Sequence, residues 1–287
     1  MSQCTLVHSR AELQDRLTGV DFSRRYVVMT MGALHRGHAA LIERARRDAG
    51  DDGVVIVTVY VNALQFNDDA DLQRYPRTLE SDVQLAQRAG ADVVWAPTAD
   101  DVFPNGPAEF DTDPGAIGDL YEGASRPGHF RGMLTVVRAF ITALQPAVAY
   151  FGEKDYQQLA LIKQMVQQLQ LPTAVVGVPT VREADGLALS SRNVFLTERQ
   201  RSQACGISRA LFAGQAAAVH GRAAVFEAVD AVLSAYMIEP DYRALVGEDF
   251  AVDARQRARM LLAAKVGDVR LIDNIAIEFA STSGEPA

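Results

Sequence analysis

The alternation of short β-branched, apolar runs with amphipathic stretches of helical spacing constrains this chain more than any other feature. The runs fall at Tyr26–Met29, Val54–Val61, Asp92–Trp95, Val148–Phe151 and Ala174–Val178. Between them, helical spacing appears over Ala39–Asp48, Leu79–Arg88, Thr135–Leu144 and Tyr156–Leu169. Strands that alternate with helices build right-handed βαβ units, and hence an α/β fold whose mostly parallel sheet carries helices on both faces. Ligands of such sheets bind beyond the carboxyl ends of the strands, so chemistry-bearing residues are expected just after the runs. Past Thr180 the alternation gives way to helical sequence at Glu198–Val219 and Ala223–Tyr236, with a strand at Val266–Ile272. This predicts a large domain over residues 1–179 and a smaller, lid-like α+β domain over residues 180–287, its polar tail Ser281–Ala287 frayed. Two connections, Asn62–Arg77 and Pro97–Arg131, are too long for plain loops and are expected to be functional or disordered.

Composition narrows the function. A formal net charge of -8 argues against a nucleic-acid surface, which needs a basic stripe or patch. Cys4 and Cys205 are far apart and make neither a metal spacing nor a disulfide framework, as expected in a reducing compartment. Met1–Gln14 carries Arg10 and Glu12 and lacks the apolar core of a signal peptide. Val54–Val61 is far shorter than the roughly 20 residues of a membrane helix. A cytoplasmic protein without membrane or nucleic-acid partners is expected. Of 28 basic residues only Lys154, Lys163 and Lys265 are lysines, which singles out Lys154 in Gly152-Glu153-Lys154-Asp155.

The run ending at Thr30 leads into Met31-Gly32-Ala33-Leu34-His35-Arg36-Gly37-His38, where a helical pattern begins. Histidines at this spacing project from one face of a helix start. Free N–H groups and the positive end of the helix dipole favour anions there. Two imidazoles add donors that can follow charge as it builds on phosphate oxygens, and Gly37 clears room for a flat ring to approach the backbone. Two surface histidines near a helix start would be the bland alternative.

This segment resembles the His-x-Gly-His signature of the nucleotidylyl-transferase superfamily, whose members attack the α-phosphorus of a nucleoside triphosphate and release pyrophosphate. The signature alone does not choose among synthetases, adenylyl- and cytidylyl-transferases. Further segments do: Val61-Asn62-Ala63-Leu64-Gln65-Phe66, Tyr75-Pro76-Arg77-Thr78, Arg126-Pro127-Gly128-His129-Phe130-Arg131-Gly132 and Phe151–Gln158. Pro179-Thr180-Val181-Arg182-Glu183, Leu189-Ser190-Ser191-Arg192-Asn193 and Arg270-Leu271-Ile272-Asp273-Asn274 complete the series. In this order they resemble the pantothenate synthetase family along nearly the whole chain.

The resemblance implies a Rossmann-like fold and a two-step ligation through pantoyl adenylate, with ATP as substrate together with Mg2+ and no tightly bound organic cofactor. It also implies a homodimer, for which the hydrophobic strand region is a candidate surface, and no protein-held metal site. Met31 to His38 would cradle ATP, with His38 as proton donor and His35 beside it on the phosphates. Gly152, Glu153, Lys154 and Asp155 would form a second ATP-contacting turn, Lys154 placing a compact charge on the phosphates. Leu189, Ser190, Ser191 and Arg192 would close on the triphosphate, and Val181 would contact the adenine side through its backbone. Gln65 and Gln158 would hold pantoate through neutral amides, which do not blunt a nucleophilic carboxylate. Asn62 would help position pantoate, and Arg126 would serve loop closure or attract β-alanine. Asp82 is a conceivable outer contact to magnesium, with a solvated helix face as the favoured reading. Met29 and Ala63 stand where the family usually has proline, and Ser81 where an acid is common.

Rival readings explain less. A phosphopantetheine adenylyltransferase leaves both glutamine segments and the C-terminal region without a role, and a tRNA synthetase would need a basic tRNA-binding module. A non-catalytic nucleotide-binding module would not need His35, His38, Lys154 and Arg192 intact. A dehydrogenase lacks its Gly-x-Gly-x-x-Gly after the first strand, and no P-loop is present.

Overall fold

The computed structural model describes residues 4–66, 69–247, 250 and 256–280. A short β1 (Thr5–Val7) precedes strands at every apolar run: β2 (Arg25–Thr30), β3 (Val54–Val59), β4 (Val93–Trp95), β5 (Val148–Gly152) and β6 (Ala174–Val178). β1 was not expected from the sequence, because its 3 residues are too few to show alternation. The six strands pair in parallel in the order β1-β4-β3-β2-β5-β6. From β2 the chain builds outward through β3 and β4, then returns to the other side of β2 for β5 and β6. β2 and β5 therefore flank the point where the strand order reverses, the place where open α/β sheets bind ligands.

The strands read as continuous apolar runs because both faces are covered. Val27 and Ile56 join one buried cluster with Trp95, Phe140 and Leu161, whereas Val28, Val55 and Val57 join another with Ile42 and Tyr150. Each such side chain contributes about 1.5–3 kcal/mol by leaving water. β3 lies inside the sheet with Val55, Ile56 and Val57 fully buried, which corrects the expectation that this strand region offers a subunit surface.

The helices of this part of the chain are α1 (Arg10–Arg16), α2 (Arg36–Ala49), α3 (Asp69–Arg74), α4 (Leu79–Ala89), α5 (Ala99–Val102), α6 (Glu122–Ser125), α7 (His129–Leu144) and α8 (Tyr156–Gln168). α2 and α7 begin before the apolar periodicity does, because their first turns carry His, Gly and Arg. The two long connections hold short elements of their own, which corrects the disordered alternative for their described residues. Asn62–Arg77 holds a 3-10 turn (Ala63–Gln65) and α3, residues 67–68 lying outside the described ones. Pro97–Arg131 holds α5, 3-10 turns at Pro107–Phe110 and Ala116–Asp119, α6 and the start of α7. Buried Phe103, Phe110 and Phe130 anchor that stretch to the core.

Contacts divide the chain into one unit of Met1–Glu153 with Gln157–Pro179 and a second of Lys154–Tyr156 with Thr180–Ala287. The second unit packs α9 (Glu198–Ala217) and α10 (Arg222–Ala235) with an antiparallel sheet of β7 (Pro240–Gly247), β8 (Arg257–Val266) and β9 (Val269–Glu278), in the order β7-β8-β9. Ile207, Leu211, Val229, Leu262 and Ile277 lie in its core. The single strand expected at Val266–Ile272 is corrected: that stretch spans the end of β8, a turn at Gly267 (φ +60°) and the start of β9. The tail Ser281–Ala287 lies outside the described residues.

Candidate active site

At the end of β2 the Thr30 hydroxyl donates to the Thr58 carbonyl (2.6 Å) and accepts from the Gly32 N–H (3.2 Å). Gly32 (φ +84°) and Ala33 (φ +52°) then turn the chain in the left-handed region. A side chain at Gly32 would also meet Asp82 Oδ2 and Val59 Cγ1, each at 3.1 Å. Backbone conformation and space both call for glycine.

His35 is the N-cap of α2. The Gly37 N–H donates to His35 Nδ1 (3.1 Å) and the His35 N–H donates to His38 Nδ1 (3.2 Å), a capping box built from two imidazoles. Because each Nδ1 accepts, a neutral ring carries its proton on Nε2. The ring centroids lie 4.2 Å apart, tilted by 36°. The helix start thus holds two Nε2–H donors side by side at the positive end of the helix dipole.

Asp82, on α4, is 2% exposed, which corrects the reading of a solvated helix face. Its carboxylate accepts from the Leu34 N–H (2.7 Å), the Ala33 N–H (3.1 Å) and the Thr78 hydroxyl (3.1 Å). It therefore braces the loop that delivers the histidines. With Ala86 and Ala89 it forms the buried side of α4.

The 3-10 turn after β3 carries Gln65, 7% exposed, whose Nε2 donates to Met31 Sδ (2.9 Å). Asn62 donates from its amide to Gln65 Oε1 (3.0 Å) and the Gly132 carbonyl (3.0 Å), and accepts from the Leu64 N–H (3.3 Å). Asn62 thus orients Gln65. Arg126 places Nη2 3.4 Å from the Gln65 carbonyl and Nη1 3.2 Å from His129 Nε2. A guanidinium only donates, so His129 accepts at Nε2 and donates from Nδ1 to the same carbonyl (2.8 Å). The sequence places His129 in a motif segment but gives it no role of its own. α7 presses so closely on this turn that a Cβ on Gly132 would lie 2.0 Å from the Leu64 carbonyl oxygen.

At the end of β5, beside β2 in the sheet, come Gly152 and Glu153. Gln157 is committed internally, accepting from the Glu122 N–H (3.1 Å) and donating to the Ile117 (2.7 Å) and Leu120 (2.8 Å) carbonyls. Gln158, next to it on α8, is half-buried.

The first unit therefore brings together Met31–His38, Asn62, Gln65 and Arg126 and adds Asp82 and His129. Lys154, Asp155, Val181 and Leu189–Arg192 belong to the second. There Lys154 Nζ lies 3.5 Å from Asp155 Oδ1, a loose pair. The Val181 carbonyl accepts from the Leu189 N–H (2.9 Å), closing a small hairpin around the Arg182–Ala188 bridge. Ser190 caps a 3-10 turn (Ser191–Phe195) by accepting from the Arg192 N–H (3.2 Å), which leaves Ser191 and Arg192 at the turn's start. Among the described residues no group of three or more His, Cys, Asp or Glu side chains is arranged to hold a metal ion, and no helix is long and apolar enough to cross a membrane.

A strand order reversing at β2 and β5, with two imidazoles at the start of the helix that follows β2, defines a doubly wound α/β protein whose switch point carries hydrogen-bond donors. The sequence profile of the family described as pantoate-beta-alanine ligase matches residues 5–276. The chain belongs to the pantoate–β-alanine ligase family. It is 47% identical over 283 residues to a pantothenate synthetase of Nocardioides, covering 95% of this chain and 85% of that one. Against a pantothenate synthetase of Salinispora arenicola it is 47% identical, with 97% and 99% covered. The crystal structure of pantothenate synthetase from Thermus thermophilus superposes with a TM-score of 0.84 at 44% identity, covering 94% of this chain and 98% of that one. A pantoate-β-alanine ligase from Francisella tularensis, complexed with β-γ ATP and β-alanine, gives a TM-score of 0.77 at 33% identity, with 95% and 97% covered.

Proposed function

We propose that this ligase joins pantoate to β-alanine in two steps at the expense of ATP. A pantoate carboxylate oxygen attacks the α-phosphorus, the bond to the β-phosphate bridge breaks, and pyrophosphate leaves. The β-alanine amine then attacks the acyl carbon of pantoyl adenylate. The carbon–oxygen bond to AMP breaks, an amide forms, and the amine loses a proton. The observation that carries this reading is the pair of Nε2–H donors at the start of α2, tied through Met31 to the buried Gln65 amide.

Each step sets a physical task for named residues. Two anions must approach each other, so charge on the phosphates has to be met by donors fixed in advance. His35 and His38 donate from Nε2, His38 following the charge as it moves to the leaving oxygen, and the Met31–His38 segment cradles the ATP at the positive end of the α2 dipole. Lys154, with Gly152, Glu153 and Asp155 in its turn, supplies a mobile cation. Leu189, Ser190, Ser191 and Arg192 close on the triphosphate and grip the leaving pyrophosphate, while the Val181 backbone contacts the adenine side. Gln65 and Gln158 hydrogen-bond pantoate without neutralising its carboxylate, which keeps it nucleophilic. Asn62 acts through Gln65, and Arg126 through the Gln65 carbonyl and His129.

Magnesium arrives with ATP as part of the substrate. A cytoplasmic homodimer completes the reading on the strength of the family resemblance, and light scattering on the purified protein tests it. The reaction itself is tested by omitting substrates in turn. Pyrophosphate release should require ATP and pantoate, and AMP and pantothenate should appear only when β-alanine is added. Pyrophosphate release independent of pantoate would sink the ligase reading.

A further inference from the structure

The sheet of the second unit carries a buried polar dipeptide, Asp273-Asn274, for which the reaction above has no use. Both residues are 4% exposed and neighbours in β9, so their side chains leave opposite faces of the sheet. Asp273 shares its face with Val269, Leu271, Ile275 and Ile277. Arg182 compensates its charge there with two bonds, Nη1 to Oδ2 (2.6 Å) and Nη2 to Oδ1 (3.0 Å). Arg182 also donates to the Gly186 carbonyl (3.2 Å), so Asp273 secures the hairpin between Val181 and Leu189.

Asn274 lies on the other face, where Ala276 and Glu278 are exposed. It is covered because Lys154–Tyr156 packs with this unit. Asn274 Nδ2 donates to the Lys154 carbonyl (2.8 Å). Its Oδ1 accepts from Arg259 Nη1 (2.8 Å), and the same guanidinium sits 4.2 Å over the Tyr156 ring. The register agrees: Asn274 pairs with Leu261 and Ala276 with Arg259, so Arg259 and Asn274 are diagonal neighbours on one face. The Asn274 N–H donates to Asp273 Oδ1 (2.7 Å), which joins the two halves of the network.

We propose that Asn274 is a positioning residue for Lys154: its side-chain amide, oriented by Arg259 on a backbone N–H that Asp273 holds, fixes the Lys154 backbone where the side chain meets the triphosphate. The inference rests on the role of Lys154 proposed above. A lysine carries its charge on a flexible stem, so the placement of its backbone decides how much of its reach is spent on the ligand. The bond is to the carbonyl, so it leaves the ammonium available to phosphate. The network also joins the two nucleotide-handling segments of this unit, Lys154–Asp155 through Asn274 and Val181–Arg192 through Asp273 and Arg182.

The test is a double-mutant cycle in the full-length protein, with Asn274→Ala, Lys154→Ala and the pair, read as kcat and KM for ATP, pantoate and β-alanine. Asn274→Ala should lower kcat/KM for ATP about 10- to 100-fold, the cost of a misplaced group, with KM for β-alanine unchanged. In the Lys154→Ala background the same substitution should change kcat/KM for ATP by less than about twofold, because the residue it positions is gone. Additive losses, or a wild-type kcat/KM for ATP in Asn274→Ala, would overturn the proposal. Should Asn274→Ala fail to fold, Arg259→Met, which leaves the amide but removes its orienting donor, takes its place in the same cycle. Non-additive loss with Lys154→Ala then supports the proposal, and additive or absent loss overturns it. A wild-type chain that makes no pantothenate, or a Lys154→Ala variant with full activity, would instead strike the underlying reading and this inference with it.

Discussion

Asp82→Asn exchanges one carboxylate oxygen for an amide NH2 at almost constant volume. The native carboxylate receives the Leu34 and Ala33 N–H groups at 2.7 and 3.1 Å, so in the variant one of them faces another donor. A buried donor without a partner costs about 1–3 kcal/mol. The same two bonds hold Ala33 at φ +52°, a conformation costing a non-glycine residue on the order of 1 kcal/mol. With the brace weakened, that strain is free to relax and carry His35 with it. A stability loss of about 2 kcal/mol corresponds to a fall in Tm of about 3 °C for a chain of 287 residues. A displacement near 1 Å of the donor pair predicts a fall of about 10- to 100-fold in kcat/KM for ATP. Calorimetry and steady-state kinetics with pantoate and β-alanine saturating check both numbers. A folded variant with wild-type kcat/KM for ATP would refute the reasoning, whatever its Tm.

Three further outcomes are expected. His38→Ala should lower kcat by a factor on the order of 10²–10⁴, and a folded variant with unchanged turnover would remove His38 from the mechanism. Gly132→Ala would drive a Cβ to 2.0 Å from the Leu64 carbonyl oxygen, backbone that cannot swing aside. It should cost about 1–3 kcal/mol and raise KM for pantoate through Gln65, which urea unfolding and kinetics read separately. The Cys4 thiol is pushed up to about 11, first by burial and then by the Asp92 charge. At pH 8 its thiolate fraction is roughly 200-fold below that of an ordinary cysteine, so iodoacetamide should label it only after unfolding. The linkage has a definite sign: a raised thiol leaves stability intact below about pH 8.5 and erodes it as pH climbs toward the native value, and Cys4→Ala should remove that alkaline loss.

The parallel sheet was legible because both of its faces are buried, so Val54–Val59 and Val148–Gly152 stand out as apolar runs against amphipathic helices. The His35–His38 segment was legible as a helix start because its geometry is local: the cap, the glycine and both imidazoles lie within one turn. What escaped depends on partners distant in sequence. Asp82 reads as a surface acid until its N–H partners 48 and 49 residues away are known. Asn274 is one polar residue in an apolar strand until Lys154, 120 residues away, is seen against it. The β8–β9 hairpin was missed because its turn, Gly267-Asp268, is short and lies inside what reads as one run. His129 and Asn62 belong to legible motif segments, but their work is to orient Gln65, and only geometry separates a residue that touches a ligand from one that aims it.

Attack of the pantoate carboxylate at the α-phosphorus is the step on which every assigned role depends. Turnover of pantoate labelled with 18O in its carboxylate, followed by mass spectrometry of the products, tests that step directly. One labelled oxygen should appear in AMP for each pantothenate formed, because the oxygen that bonds to phosphorus leaves with it. Label retained entirely in pantothenate, or found in pyrophosphate, would contradict that attack.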